Sequence, residues 1–402
     1  MSNAHRPSAV AVALAGILSL AVAIGIGRFA FTPLLPLMLR EGHIDLPAGG
    51  WIAAANYAGY WVGALTASRM RWSASRLGMV ALIATAILTA MMALPLGSWT
   101  WAVLRFAAGV ASAWAFVATA KWCLGALARE GRPQLAGAVY SGVGFGIALA
   151  GIYCVAAASF DEPSTEIWVQ LAAICVVLVV PVAVVLRASD ADICTASTAS
   201  AARIEPAGIR ALVFCYGVLG FGYILPATFL PVLARSVVED PRLFGLAWPV
   251  FGLVAAASTF IAAPLMRHFT RLQVWAGSNV VMGSGVLLPS VWLNGWTVAL
   301  SALCVGGTFM IVTLAGVQEV RARARGDETP LVARMTAAFA FGQIAGPVAS
   351  SLLLHVPAFT KDGLNIALQL AALSVFAAAL WLWRINGREA ALVSKKEVSH
   401  AS

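Results

Sequence analysis

Twelve stretches of about 20 predominantly apolar residues follow one another along this chain, and an α-helix needs about that length to cross the hydrocarbon core of a bilayer. Charges and Gly, Pro or Asn breaks cut the 402 residues into segments near 9–38, 48–67, 77–96, 99–122, 134–158, 168–186, 210–234, 245–266, 272–292, 297–318, 333–355 and 364–384. Only 11% of the side chains are charged against 61% hydrophobic, too few to cover the surface of a soluble protein. No alternating pattern runs through the segments, so membrane β-strands fit poorly. The chain is therefore expected to be an all-α membrane protein with twelve transmembrane helices. The first segment follows His5-Arg6 like a secretory leader, but its apolar run continues to Leu39, which points to a retained helix.

Charge gives the orientation. With the N-terminus in the cytoplasm, nineteen of the 26 Lys and Arg fall on the cytoplasmic side, four (Arg40, Arg235, Arg242 and Lys361) fall outside, and Arg28, Arg105 and Lys121 lie within spans. The positive-inside rule thus predicts a multi-pass protein of the inner (plasma) membrane with both termini cytoplasmic. The net charge of +9 is then explained by the anionic inner leaflet of the lipid bilayer, and nucleic acid is not expected as a partner. Six cysteines without a C-x-x-C pair or nearby histidines read as small packing residues.

The two halves repeat at an offset near 195. Gly25-Ile26-Gly27, Leu35-Pro36 and Arg40 correspond to Gly220-Phe221-Gly222, Leu230-Pro231 and Arg235, and Arg76-Leu77 to Arg271-Leu272. With two residues inserted, Trp99-Thr100 and Gly109 correspond to Trp296-Thr297 and Gly306. The expected organisation is an N-terminal six-helix bundle over 1–187, a cytoplasmic linker over 188–209 rich in Ala, Ser and Thr, and a C-terminal six-helix bundle with a short cytoplasmic tail over 210–402. Six spans per half keep both halves in the same orientation, which is a parallel repeat with a site between the halves near the midplane.

The segment GIGRFAFTPLLPLM over 25–38 closely resembles the first helix of the YbfB/YjiJ-like branch of the major facilitator superfamily. The stretches GGTF at 306–309, VTLAGVQE at 312–319 and GQIAGP at 342–347 are similar to its tenth and eleventh helices, and Arg105 followed by Gly109 to the superfamily's fourth-helix motif. The loop over 63–71 keeps the basic residues of the superfamily pattern and lacks its Asp; the fifth-helix glycines Gly142, Gly144, Gly146 and Gly151 stand without the antiporter proline. The resemblance implies the major facilitator fold, with two pseudo-symmetric six-helix bundles and helices 1, 4, 7 and 10 lining a central cavity. It implies a secondary transporter; the chain is expected to be a monomer and not an enzyme.

All 17 acidic residues fall at or beyond span ends, and so do the five histidines. That leaves no base or metal cluster for intramembrane catalysis, and no cofactor or metal is expected. The interior instead holds cations without anions. A charged side chain there costs roughly 2.5–3.5 kcal/mol, so it is expected to face the bundle interior and to serve a function. Arg28 and Arg105 are the candidates for binding the anionic group of a small-molecule substrate, since a guanidinium forks onto a carboxylate. Their repeat mates, Tyr223 and Ala302, carry no charge. The same two arginines could instead bond backbone carbonyls and hold the bundle together. Asn56 and Tyr60 on one face of the second helix, Tyr223 on the seventh and Gln343 on the eleventh complete the expected substrate-binding set. Ser112 and Thr119 read as contacts between helices, and Lys121 as a snorkelling residue. The expected activity is alternating-access transport of a small organic anion. The alternatives are drug- or sugar-type efflux with proton antiport, and a sensor that binds without flux. A proton is the candidate coupling ion, with Glu319 the nearest carboxylate to the interior.

Overall fold

The computed structural model describes residues 7–67, 69–70, 72–132, 135–189, 208–237, 245–323, 329–356 and 362–401. Backbone polar groups cannot find water in a bilayer core, so helices that satisfy their own N–H and C=O groups are the form the twelve apolar segments take. They are α1 (Ala9–Arg40), α2 (Leu46–Ala67), α3 (Ala74–Met91), α4 (Gly97–Arg129), α5 (Ala136–Ala158) and α6 (Ser164–Ser189) in the first half. The second half contains α7 (Ile209–Val237), α8 (Ala247–His268), α9 (Arg271–Val291), α10 (Gly295–Arg323), α11 (Thr329–His355) and α12 (Gly363–Ala401). Most of the linker expected over 188–209, parts of the 63–71 loop and Cys194 lie outside the described residues.

Eleven of the twelve are long and apolar enough to cross a membrane by length and composition. The exception is α2, long enough at 22 residues but diluted by glycines, Asn56, Tyr57 and Tyr60. Its small residues are used for close packing. A Cβ added at Gly59 would fall on the Phe106 carbonyl of α4, and one at Gly50 on the Ser351 hydroxyl of α11.

Packing repeats with the sequence. Within the first half α1 packs on α5 and α6, α2 on α4, and α3 on α4 and α6. Six helices later the same pairs recur: α7 on α11 and α12, α8 on α10, and α9 on α10 and α12. Two further pairs, α2 with α11 and α5 with α8, join the halves and exchange under the same repeat. The last stretch of α1, Phe31–Arg40, lies along α7. There Thr32 Oγ1 donates to the Ala227 carbonyl at 2.8 Å, a bond between residues 195 apart, so repeat mates face each other across the pseudo-two-fold axis. Pro231 has no N–H for the Ala227 carbonyl one turn before it, which leaves that oxygen free for Thr32. We call the end where α1 begins and α12 finishes the terminal face, and the other end the opposite face. Contacts between the halves run from mid-depth, where a Cβ on Gly144 would meet the α8 backbone, to the opposite face, where Arg235 donates to the Pro36 carbonyl.

Glu319, expected at or beyond the end of its span, instead lies inside α10, which continues to Arg323, and is buried. Its carboxylate pairs with Arg271 Nε at 2.9 Å and Arg323 Nη2 at 2.6 Å, and Arg323 reaches Glu389 at 2.8 Å. The network ties α9, α10 and α12 together at the terminal face.

Candidate functional site

The site is built on an irregularity in α1. Between Ala21 and Ile26 the helix widens to a π-turn, with Gly27 N–H donating to Val22 O at 2.8 Å and Phe29 N–H to Ile24 O at 3.2 Å. Gly25 permits this bend against α5, since a Cβ there would fall on the Gly146 backbone. A turn at 27–30 follows before the helix resumes at Phe31. Such an irregularity leaves carbonyls without their normal helical donors, and in a bilayer a neighbouring side chain must supply them. Helix α4 does so: Ser112 Oγ donates to Ala23 O at 2.6 Å, Arg105 Nη1 to Gly27 O at 2.8 Å, and Arg105 Nη2 to Arg28 O. Asn56 Nδ2 in turn donates to Arg105 O at 2.8 Å, locking α2 onto the same stretch of α4.

Held from behind in this way, the backbone at Arg28 sends its side chain to the interface between the halves. Arg28 Nη2 donates to Gln343 Oε1 on α11, and Gln343 Nε2 donates to the hydroxyl of Tyr223 on α7. Arg28 and Tyr223 are repeat mates, bridged by one amide. Around the guanidinium stand three aromatic faces, with its carbon 4.1 Å from the Tyr60 ring centre, 5.1 Å from Tyr57 and 5.3 Å from Phe29. Each such contact stabilises a desolvated cation by about 0.5–2 kcal/mol. Tyr57 extends the seam by bonding Thr228 at 3.1 Å.

Both arginines are almost fully buried, at 4% exposed for Arg28 and 2% for Arg105. Among the described residues neither has an ion-pair partner, and each keeps a buried Nε without a hydrogen bond. The two differ in how their forks are used. Arg105 has both Nη atoms on main-chain carbonyls; Arg28 has one on a side chain of the other half and its charge on aromatic faces.

Aromatic stacking runs through the second half toward this point. Tyr223 lies between Phe309 (5.3 Å, 4° between planes) and Phe339 (5.5 Å, 9°). Phe309 continues to Phe251 (5.7 Å, 19°), and Phe251 to Trp248 (4.9 Å, 17°). From Trp248 the order breaks: its contact with Phe29, across the halves, is tilted by 55° at 6.0 Å.

The expected set is thus brought together only in part. Arg28, Tyr60, Tyr223 and Gln343 converge in one cluster. Arg105 and Asn56 stand behind it on backbone atoms. Ser112 and, through a 2.7 Å bond to Ser19, Thr119 make contacts between helices, while Lys121 is exposed near the terminal end of α4. Tyr57, Phe29 and Trp248 escaped the sequence reading. Tyr57 lies three residues before Tyr60, a helical spacing that could have flagged it; Phe29 falls within the 25–38 segment and Trp248 at the repeat position of Trp51, but nothing in the sequence marks either as a contact between the halves. The Arg28 guanidinium is met by side chains of α1, α2 and α11, with Tyr223 of α7 one bond further; α4 reaches the Arg28 carbonyl through Arg105, and α10 reaches Tyr223 through Phe309.

Two six-helix repeats enclosing a polar contact at their pseudo-two-fold axis define a major facilitator transporter. The comparisons agree. The family model described as "Uncharacterised MFS-type transporter YbfB" matches residues 20–382, and the chain belongs to that family. No curated protein matches. Among solved structures, the chain is similar to a D-xylose–proton symporter (TM-score 0.70, 13% identity, covering 93% of this chain and 97% of that one). A variant of the nucleoside transporter NupG gives TM-score 0.70 at 14% identity, with 93% and 99% covered. A bacterial homologue of the human lysosomal transporter Spinster, in an inward-facing and occupied conformation, gives 0.65 at 14% identity, with 93% and 95% covered. At these identities the likeness establishes the fold.

Proposed function

We propose that this transporter moves a small organic anion by alternating access, with Arg28 as the anchor of the anionic group. The observation that carries the reading is a cation buried between the two halves with no anion among the described residues to neutralise it. Burying an unpaired charge costs several kcal/mol even after relaxation, and the aromatic faces and one amide recover only part of that. A substrate carboxylate would supply the missing counter-charge. Gln343, Tyr60 and Tyr223 orient it from both halves, so that binding reports to each. Arg105 and Asn56 act as positioning residues, fixing the backbone that aims Arg28.

The excess of Lys and Arg at the terminal face supports a cytoplasmic location for both termini. In that orientation the contacts between the halves close the site on the external side, and the substrate reaches it from within. Flux follows when the bonds between Thr32 and Ala227, Tyr57 and Thr228, and Arg235 and Pro36 break and the terminal face closes instead.

The test is reconstitution in proteoliposomes with uptake and counterflow of labelled organic anions. Saturable flux that vanishes in Arg28→Met, with folded protein still recovered, supports the assignment. Binding without flux would make the chain a sensor, and normal flux in Arg28→Met would remove Arg28 from the site.

A further inference from the structure

Three buried donors around the site lack an acceptor: Arg28 Nε, Arg105 Nε and the indole Nε1 of Trp248. One buried acceptor, Asn56 Oδ1, lacks a donor. Trp248 is fully buried, and its ring meets Phe29, the residue next to Arg28, across the boundary between the halves. Buried polar groups are rarely left unpaired, so a donor surplus of this kind calls for a ligand that brings acceptor oxygens. The described residues place no carboxylate beside Arg28 to receive an ammonium, which disfavours zwitterions and cationic solutes.

The aromatic order adds a shape. From Tyr223 through Phe309 and Phe251 to Trp248 each ring lies within 19° of parallel to the next, and the stack ends at Trp248 where Phe29 is tilted away. Phe29 belongs to the first half and Trp248 to the second. Movement of the halves by about one ring thickness, ~3.5 Å, would open a slot there wide enough for a flat ring. A ligand in that slot stacks on Trp248, extends the ladder and places its polar end against the guanidinium 5.3 Å from the Phe29 ring.

We propose that the anion held at Arg28 is an aromatic carboxylate without an amino group, its ring lodged between Phe29 and Trp248, and that Trp248 sets this specificity. The proposal rests on Arg28 as the anion anchor.

Isothermal titration of the full-length purified protein with four probes tests it: benzoate, cyclohexanecarboxylate, benzamide and phenylalanine. Benzoate is expected to bind about three- to tenfold more tightly than cyclohexanecarboxylate, the usual gain from ring stacking. Benzamide, which lacks the charge, and phenylalanine, which adds an ammonium, are expected to bind at least about tenfold more weakly than benzoate. In Trp248→Leu the ratio of benzoate to cyclohexanecarboxylate should fall to near one. Since the ratio is taken within one protein sample, a reduced folded fraction does not change it. Should Trp248→Leu fail to fold, Trp248→Phe retains a ring and should keep most of the ratio, while losing affinity for both carboxylates through the missing indole donor.

Equal affinity for the two carboxylates, with both lost in Arg28→Met, would overturn the aromatic slot and leave the anion anchor standing. Benzamide binding as well as benzoate, with Arg28→Met unaffected, would overturn both readings. No heat from benzoate at several millimolar, with counterflow of other anions still dependent on Arg28, would overturn the slot alone.

Discussion

Arg28 and Arg105 are equally buried, yet replacing each by Met should move stability in different ways. Arg105 donates two charge-assisted bonds, to the Gly27 and Arg28 carbonyls. Each is worth about 1.5–3 kcal/mol, and its loss leaves a buried carbonyl in the irregular stretch of α1 with no replacement donor. Arg105→Met should therefore cost about 3–6 kcal/mol. Part of this is returned because an unpaired buried charge has been removed. Arg28 gives up one bond to Gln343 and its aromatic contacts, but sheds the same charge penalty, so Arg28→Met should lie within about 1 kcal/mol of neutral. The assay is thermal unfolding of both variants in the same detergent, followed by tryptophan fluorescence. Arg105→Met should melt several degrees lower, and Arg28→Met close to the parent while losing anion binding. If Arg28→Met melts as low as Arg105→Met, or Arg105→Met melts like the parent, the division between anchor and positioning residue is wrong.

Three other outcomes follow from the packing. Gly59→Ala places a methyl on the Phe106 carbonyl of α4 and should cost more than about 3 kcal/mol, read as a sharp drop in monodisperse protein on size-exclusion chromatography. Thr32→Val leaves the Ala227 carbonyl without its donor and should loosen closure at the opposite face. The check is a cysteine placed at Ala30 in an otherwise cysteine-free background, which should react faster with an impermeant thiol reagent applied to the opposite face; an unchanged rate would count against the α1–α7 seam as a gate. Glu319→Gln removes the carboxylate that Arg271 and Arg323 share and should destabilise by only about 1–2 kcal/mol, since Arg271 is partly exposed and Arg323 keeps Glu389, seen as a lowered melting temperature with anion affinity unchanged, because the network stands away from Arg28.

Much of the scaffold is written in one dimension. Hydrophobic length, charge asymmetry and the 195-residue offset are local or periodic properties, so twelve helices and their doubling could be read directly from Gly25–Arg40 and Gly220–Arg235. That mates at this offset meet in space, as Thr32 and Ala227 do, came from the fold. The rarity of buried charge singled out Arg28 and Arg105 for the same reason: the cost of a cation in hydrocarbon depends on its depth, which sequence gives.

What each cation does there was not legible. Arg28 and Arg105 are chemically identical and both lie in apolar runs; only the π-turn at 21–26 decides that one guanidinium is consumed by main-chain oxygens while the other reaches Gln343 across the halves. That turn depends on how closely α1 approaches α5 at Gly146, a contact 121 residues away. Trp248 and Phe29 became neighbours only because the halves close on each other. Sequence alone determined which residues the membrane would bury, since burial follows from transfer free energy summed along the chain. Tertiary structure alone decided which buried polar atoms are satisfied, since a hydrogen bond needs two partners in one place and the chain brings them there only by folding.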